Sequence, residues 1–141
     1  MPPVFVSACL LGVPCRFDCS AKPCREALEL SKNGLAIPFC PELLAGLPLP
    51  REAAEIRDGR VVTASGQDLT EAFRRGAQEA VRRAKIAGAE EALLKSGSPS
   101  CGCGWIYDGS FSGKKVSGDG LAAAALKEAG IAVRSETDQL P

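Results

Sequence analysis

The chain contains no histidine, the side chain that most often acts as a base near neutral pH. This absence excludes histidine-based zinc sites and the catalytic systems in which histidine activates a serine or cysteine nucleophile. Acid–base chemistry must therefore be carried out by carboxylates, Tyr107, lysine, serine or bound water.

The sequence also lacks an excess of charge and long apolar runs. Its 17 basic and 17 acidic residues cancel, so it has no basic surplus of the kind that binds nucleic acid or anionic membranes tightly. No apolar run reaches the roughly 18 residues of a membrane span, and the first residues lack the features of a secretory signal. We expect a cytoplasmic protein with no membrane partner and no obligatory nucleic acid.

Cysteine, in contrast, is abundant. Seven cysteines cannot all pair with one another, and in a reducing compartment such a set indicates metal binding or catalysis rather than a disulfide framework. The length of 141 residues suits a single domain over 1–141, with enough buried surface to fold without disulfides.

The hydrophobic pattern predicts alternating strands and helices. Strands are expected at 3–8, 35–39, 91–95 and 131–133, helices at 23–33, 68–87 and 119–129, and an Asp-Gly hairpin at 55–62. Loops are expected at 40–54 and 105–117, the second with a short extended piece at 106–107, and a frayed tail at 135–141. The order predicts a three-layer α/β/α, Rossmann-like domain with a mostly parallel sheet, a hairpin insertion and a site at the carboxyl ends of the strands.

Three of the cysteines follow predicted buried strands, namely Cys9, Cys40 and Cys101. Because the carboxyl ends of parallel strands meet at one edge, these thiols should converge. Three thiolates around a metal or cluster leave a coordination position free for chemistry. The remaining cysteines are equally well explained as small buried hydrophobic residues, and they are Cys15, Cys19, Cys24 and Cys103.

The spacing of the three cysteines helps to distinguish a zinc site from an iron–sulfur cluster. Structural zinc sites commonly use paired C-x₂-C spacings, and this chain has none. Iron–sulfur clusters accept thiolates from distant loops, and a cubane with three protein ligands leaves one iron open as a Lewis acid. The spacing favours a cluster over zinc without excluding zinc.

Short motifs follow one another along almost the whole chain, from about residue 4 to 136. They are SACLLG at 7–12, CRFD at 15–18, CPE at 40–42, GLP at 46–48, PR at 50–51, AEI at 54–56, KS at 95–96, SPSCG at 98–102, IYDGSFSG at 106–113 and GDG at 118–120. In these motifs and their order the chain resembles the thiouracil desulfidase family.

The resemblance implies a bacterial or archaeal cytosolic protein with an oxygen-sensitive 4Fe-4S cluster held by three cysteines. It also implies a small-molecule partner, a thiolated pyrimidine, because the family removes sulfur from 2-thiouracil to give uracil and sulfide. One departure concerns residues 18–20, where Asp-Cys-Ser stands in place of the family's Asp-Gly-Gly, and extra thiols occur at Cys24 and Cys103. These differences put the exact substrate in question more than the cluster.

Two residues are candidates for catalysis. Glu42 lies two residues after Cys40, and we expect it to activate the attacking water or to move the substrate's N–H proton. The alternative is that Glu42 caps a turn or pairs with Arg51. Ser98 is the second candidate through its hydroxyl, and its alternative is a structural Ser-Pro turn.

Three further residues are expected to bind the substrate, namely Ser7, Ser100 and Tyr107. Ser100 is also placed to donate to cluster sulfurs, and Tyr107 to stack on a pyrimidine or to hydrogen-bond with it. Arg51 and Glu55 are expected to form a pair that fixes the proline-rich loop.

Other functions stay open at this point. A non-catalytic iron–sulfur carrier would close its cluster with Cys15 or Cys103 as a fourth ligand. A zinc or thiol redox domain is a second alternative, weakened by the lack of C-x-x-C. The same chemistry on a thiolated nucleoside or another thioamide is a third, and the sequence leaves open whether the protein is a monomer or a homodimer.

Overall fold

A parallel sheet forms the centre of the protein. The computed structural model describes residues 1–136. The central strands are β1 (Val4–Ser7), β2 (Ala36–Phe39), β5 (Glu91–Leu94) and β8 (Ala132–Ser135), arranged β2-β1-β5-β8 with every neighbouring pair parallel. Two antiparallel hairpins complete the strands: β3 (Ala54–Arg57) with β4 (Arg60–Thr63), and β6 (Trp105–Tyr107) with β7 (Lys115–Ser117).

Helices cover both faces of this sheet. They are α1 (Arg25–Lys32), α2 (Pro41–Leu44), α3 (Thr70–Ala87) and α4 (Leu121–Glu128), and a 3-10 turn spans Ala8–Leu11. Val4 and Val6 pack on the α1 side, whereas Phe5 packs on the side of α3 and α4. The expected three-layer α/β/α fold is thereby confirmed. Among the helices of residues 1–136, none combines the length and apolar character that a membrane span requires.

Helix α3 shows how local sequence sets this architecture. Its buried face consists of Phe73, Ala77, Ala80 and Ala84, which recur at helical spacing. Asp68 fixes the start, since its Oδ1 accepts the backbone N–H of Thr70 at 2.9 Å. Small residues on the buried face let α3 lie close to the sheet and to α4.

The two predicted loops contain elements that the sequence pattern did not reveal. The expected loop at 40–54 begins with α2, which starts at Pro41, and the prolines that follow obscured this single turn. The expected loop at 105–117 is a hairpin, because β7 pairs with β6 in the register Trp105↔Ser117. Strand β7 is exposed along its length, so it carries no alternating apolar pattern.

The expected tail at 135–141 is wrong for its first two residues. Ser135 is the buried last residue of β8, and Glu136 pairs with Lys95 at 3.2 Å. Residues 137–141 lie outside the described residues.

Helix α2 is held against α3 at a glycine. A Cβ built on Gly76 would lie 2.2 Å from the carbonyl oxygen of Pro41, well inside van der Waals contact. Only glycine therefore permits this approach, and the approach fixes the position of the chain around Cys40 and Glu42.

Candidate active site

A pocket of about 330 Å³ lies at the carboxyl ends of β1, β2 and β5. All eight residues selected from the sequence line it: Cys9, Cys40, Cys101, Glu42, Ser98, Ser7, Ser100 and Tyr107. The fold thus brings together side chains that are up to 100 positions apart in the chain, from Ser7 to Tyr107.

The three candidate ligands come from three adjacent strands. Cys9 lies in the 3-10 turn after β1, Cys40 directly follows β2, and Cys101 lies in the loop after β5. Cys9 and Cys101 are buried, whereas Cys40 is partly exposed. Each of the seven cysteines, all within residues 1–136, is a free thiol.

A fourth thiol shares the pocket. The side chain of Cys15 is 3% exposed and makes hydrogen-bonding contacts with the thiols of both Cys9 and Cys40. Cys15 follows β1 a few residues after Cys9, and it is one of the two candidate fourth ligands that the sequence offered. Cys103, the other candidate fourth ligand, instead directs its thiol to the carbonyl of Val133 at 3.7 Å.

Helix α4 sets the position of Cys101. Backbone N–H groups of Leu121 and Ala122 donate to the carbonyls of Pro99 and Ser100, at 2.8 and 2.9 Å. A Cβ on Gly120 would lie 2.5 Å from the Ser100 carbonyl oxygen, so the helix start and the loop are in close contact. The first turn of α4 thereby satisfies its free N–H groups and locks the cysteine loop in place.

Ser98 organises the same loop from within. Its Oγ accepts the backbone N–H groups of Ser100 and Cys101, at 3.0 and 3.1 Å. Its hydroxyl also lies 2.8 Å from the Oγ of Ser100. The turn proposed as the alternative role of Ser98 is therefore present, and the hydroxyl still lines the pocket.

Glu42 is held at both carboxylate oxygens. Oε1 accepts the Nε–H of Arg51 at 3.0 Å and lies 2.9 Å from its Nη2, while Oε2 accepts the hydroxyl of Ser100 at 2.9 Å. Ser100 thus links Glu42 to Ser98, and the Ser98 hydroxyl is free to donate to Ser100. The result is a continuous chain of hydrogen bonds from a guanidinium to the loop of Cys101.

Arg51 therefore pairs with Glu42, and the expected pairing with Glu55 is wrong. Oε1 of Glu55 accepts the backbone N–H groups of Gly109 and Phe111, both at 3.1 Å. Glu55 is structural, but it fixes the loop between β6 and β7 rather than the proline-rich loop. The sequence could not distinguish the two carboxylates, because both are close to Arg51 along the chain.

Arg51 also fastens the loop that carries Cys15. Its Nη2 donates to the carbonyl of Cys15 at 3.1 Å, and its backbone N–H donates to the carbonyl of Phe17 at 2.9 Å. One side chain thus connects the Glu42 carboxylate with the backbone of Cys15, so the positions of the two residues are coupled.

The opposite wall is built from β1, β5 and β6. The Oγ of Ser7 accepts the backbone N–H of Lys95 at 3.0 Å and is in hydrogen-bonding contact with the Cys101 thiol. Tyr107 packs edge-on against Trp105 with ring centroids 5.5 Å apart. Within the described residues, the buried indole N–H of Trp105 has no hydrogen-bond partner.

Several lining residues were given no role in the sequence analysis, namely Arg16, Phe17, Lys95 and Trp105. Lys95 directly follows β5, which places it at the same sheet edge as the cysteines. Nothing in the sequence pattern around Trp105 indicated a role in a pocket, because its place depends on the hairpin that the pattern did not reveal.

The thiols favour their neutral forms in the metal-free chain. The hydrogen bond that the Cys40 thiol donates to Cys15, together with burial, raises the pKa of Cys40, and burial raises the pKa of Cys101 to about 12. For Cys15 the contact with Cys40 lowers the pKa, but the contact with Cys9 and burial outweigh it, so the pKa is raised overall. Binding of a metal group must therefore displace protons from these thiols.

The donor set suits an iron–sulfur cluster. In the part of the chain that the structure describes, no three histidine, cysteine, aspartate or glutamate side chains surround a single point closely enough to hold one metal ion. Thiolates that bind a cluster attach to separate irons, and the pocket offers soft sulfur donors on several walls. The thiols therefore fit a group larger than a single ion.

The fold and the pocket define an α/β protein with a thiol-lined site at the carboxyl ends of its parallel strands. More specifically, the chain belongs to the 2-thiouracil desulfurase family, whose sequence model matches residues 4–138. It is 43% identical over 145 residues to the uncharacterized protein YbbK of Bacillus subtilis (strain 168), covering 96% of each chain.

A solved structure shows the same fold. The 4Fe-4S-dependent thiouracil desulfidase TudS is 47% identical in sequence, and its structure superposes with a TM-score of 0.93. The match covers 100% of this chain and 94% of the TudS chain.

Proposed function

We propose that this protein is a 4Fe-4S-dependent thiouracil desulfidase, which converts 2-thiouracil or a related thiolated nucleobase into uracil and sulfide. The observation that carries the proposal is the convergence of Cys9, Cys40 and Cys101 on a pocket that also holds the Glu42 carboxylate. Similarity to TudS over the full chain supports it.

In this proposal Cys9, Cys40 and Cys101 hold the cluster. They follow three adjacent parallel strands, so their backbones are fixed by the sheet and by α4 rather than by flexible loops. When bound, the cluster supplies an open iron that attracts the soft thiocarbonyl sulfur and polarises the C–S bond. Hydrolysis exchanges sulfur for oxygen at one carbon without net transfer of electrons, so no electron donor is required.

Glu42 is the proposed base. The attacking water must lose a proton as its oxygen bonds to the ring carbon, and Glu42 is a carboxylate that lines the pocket. Arg51 fixes the orientation of the carboxylate through Oε1. The second oxygen, Oε2, faces Ser100, so a proton accepted there has a route through the hydroxyls of Ser100 and Ser98.

Ser7, Ser100 and Tyr107 are the proposed substrate contacts. Ser7 accepts the N–H of Lys95 and contacts the Cys101 thiol, so rotation of its hydroxyl would turn its proton from that sulfur to a bound substrate. Tyr107 presents a phenol and an aromatic face at the pocket wall, which suits a flat pyrimidine with polar edges. The partner is thus a small thiolated pyrimidine, with no obligatory nucleic acid.

The wider setting is also part of the proposal. We place the protein in the cytoplasm, because seven free thiols and an oxygen-sensitive cluster require a reducing compartment. Residues 1–141 form one domain, which acts as a monomer or a homodimer.

One observation favours a second candidate, a non-catalytic cluster carrier. Cys15 lies in the pocket and would supply a fourth thiolate, which would close the open coordination position. Against this, Cys15 contacts the thiols of both Cys9 and Cys40, whereas thiolates bound to separate irons must stand apart. The catalytic proposal therefore explains the arrangement better.

Anaerobic reconstitution tests the two candidates. About four irons and four sulfides per chain are expected, together with loss of the thiocarbonyl absorbance of 2-thiouracil and formation of uracil and sulfide. Alanine variants of Cys9, Cys40 and Cys101 should each lose the cluster, whereas Cys103→Ala, outside the pocket, should keep it. A stable cluster with no turnover would favour the carrier, and a protein that binds no iron would overturn both.

A further inference from the structure

We propose that Cys15 and Cys40 form a reversible disulfide when the metal-free pocket meets peroxide, and that Cys15 thereby protects Cys40 from irreversible oxidation. Cys15 has no role in the proposed reaction, yet it is placed among the candidate ligands. The crosslink itself does not depend on the proposed function. Only its consequence for the cluster rests on Cys40 being a ligand.

Cys15 and Cys40 lie close enough together to form a disulfide. Their thiols are in hydrogen-bonding contact, and the Sγ of Cys40 also lies 4.0 Å from the carbonyl oxygen of Cys15. Both residues line the same pocket, so rotation of the two side chains about their Cα–Cβ bonds can bring the sulfurs together. Arg51 keeps Cys15 there, because it binds the Cys15 carbonyl and the carboxylate of Glu42 in α2.

Exposure determines which thiol reacts first. Cys40 is partly exposed at the wall of an open pocket, whereas Cys9, Cys15 and Cys101 are buried. Peroxide that enters the pocket therefore reaches Cys40 before the buried thiols. The raised pKa of Cys40 keeps most of it as the less reactive thiol, so this oxidation is slow. Cys15 then serves as the adjacent resolving thiol.

The chemistry balances in two steps. Peroxide transfers one oxygen to the Cys40 sulfur, giving a sulfenic acid and one water. The Cys15 sulfur then attacks the Cys40 sulfur, the S–S bond forms, the S–O bond breaks, and the Cys15 proton leaves with the hydroxide as a second water. The two thiols lose two electrons and the peroxide gains them. A dithiol reductant reverses the bond, whereas further oxidation of an unresolved sulfenic acid to sulfinic acid is irreversible.

Peptide mapping of metal-free protein after peroxide treatment tests the pairing. Trypsin releases Cys9 and Cys15 together in residues 1–16, and Cys40 in residues 33–51. The expected product joins these two peptides, persists in Cys9→Ala, and disappears in Cys15→Ser and Cys15→Ala. A disulfide within residues 1–16, or no crosslink at all, would overturn the proposal.

Recovery after reduction tests the protection. Wild-type protein treated with peroxide and then with dithiothreitol should regain most of its capacity to bind iron, with an unmodified Cys40. Cys15→Ser should retain a gain of about 32 Da at Cys40, the mass of a sulfinic acid, and regain several-fold less iron. Cys24→Ser, a partly buried cysteine outside the pocket, should behave like the wild type.

The outcomes separate this proposal from the proposed function. Equal recovery of Cys15→Ser and wild type, without sulfinic acid, would overturn the protective role of Cys15. A crosslink in a protein that never binds iron would leave the disulfide standing and overturn the desulfidase instead. Circular dichroism of both Cys15 variants before oxidation shows that they are folded, and the Cys15→Ala variant repeats the test if the serine variant is not.

Discussion

Glu42 and Arg51 form an ion pair inside the pocket, with the arginine Nη2 2.9 Å from Oε1 and side chains that are only 17% and 7% exposed. The pair joins the start of α2 to the end of the proline-rich loop. It holds a negative charge two residues from Cys40, where a base is needed. The remaining oxygen of Glu42 is thereby directed to Ser100 and the loop of Cys101.

Removing the charge of Glu42 should impair turnover and leave the cluster in place. For Glu42→Gln we expect kcat with 2-thiouracil to fall roughly 100- to 10,000-fold, the usual contribution of a general base. Iron content and the visible spectrum should match the wild type. Glu52→Gln is the control, because it removes the charge of an exposed carboxylate in the same loop. Unchanged kcat in Glu42→Gln would show that another group activates the water.

Removing Arg51 should destabilise the protein, because it leaves a largely buried carboxylate, 17% exposed, without its cation. For Arg51→Met we expect the free energy of unfolding of the metal-free protein to fall by about 3–5 kcal/mol, measured in urea. Arg74→Met, which breaks an exposed pair with Glu71, should cost less than about 1 kcal/mol.

The double variant Arg51→Met/Glu42→Gln separates the charge effect from lost packing. It should recover part of the stability that Arg51→Met loses, since no unpaired charge is left behind. If the losses of unfolding free energy in the two single variants simply add in the double variant, Arg51 and Glu42 are not energetically coupled.

Ser98→Ala should loosen the loop of Cys101. Two backbone N–H groups lose their acceptor, and we expect a cost of about 1–3 kcal/mol in the free energy of unfolding, with a lower iron content after reconstitution. Ser98→Thr keeps the oxygen and should restore both quantities. Ser31→Ala, at an exposed position on α1, is the control. If Ser98→Ala loses no more free energy of unfolding than Ser31→Ala does, the structural role of Ser98 is contradicted.

A substitution at Gly76 should alter the pocket indirectly, by displacing α2. In Gly76→Ala the new methyl group meets the Pro41 carbonyl, so α2 must move, at a cost of about 1–3 kcal/mol. Because α2 carries Glu42 and begins beside Cys40, kcat and iron content should fall as well. Gln78→Ala, on the exposed face of the same helix, should change neither. Normal activity in Gly76→Ala would mean that α2 can shift without disturbing the site.

Asp68 should make the stability of the metal-free protein depend on acid pH. Hydrogen bonding to Thr70 and to Arg60 lowers the pKa of Asp68 to about 2 from an ordinary value of 3.8. The carboxylate therefore stabilises the fold fully above pH 4, and this contribution is lost as the pH falls towards 2. Urea unfolding at pH 3 and pH 6 should show a difference between wild type and Asp68→Asn that shrinks at the lower pH. A difference independent of pH would exclude this role.

The sequence predicted the elements that depend on local patterns. The strands before Cys9 and Cys40 and the helix around Phe73 follow from their apolar residues, and parallel pairing then predicts the sheet edge where the candidate residues meet. The burial expected for the strand before Cys40 is found only at Phe39, because β2 is an edge strand. It could not predict contacts that depend on how loops pack. The pairing of Arg51 with Glu42 and the approach of Cys15 to Cys40 both arise from loop packing, which periodicity does not encode.

The order of the strands has a consequence for biosynthesis. Cys9 and Cys101 follow neighbouring strands, because β1 pairs with β5, yet 91 residues separate them in the chain. A growing polypeptide therefore carries Cys9, Cys15 and Cys40 long before β5 and the loop of Cys101 are synthesised. Chains that end before β5 have no complete site, so a cluster held by all three cysteines can form only after Cys101 has been synthesised.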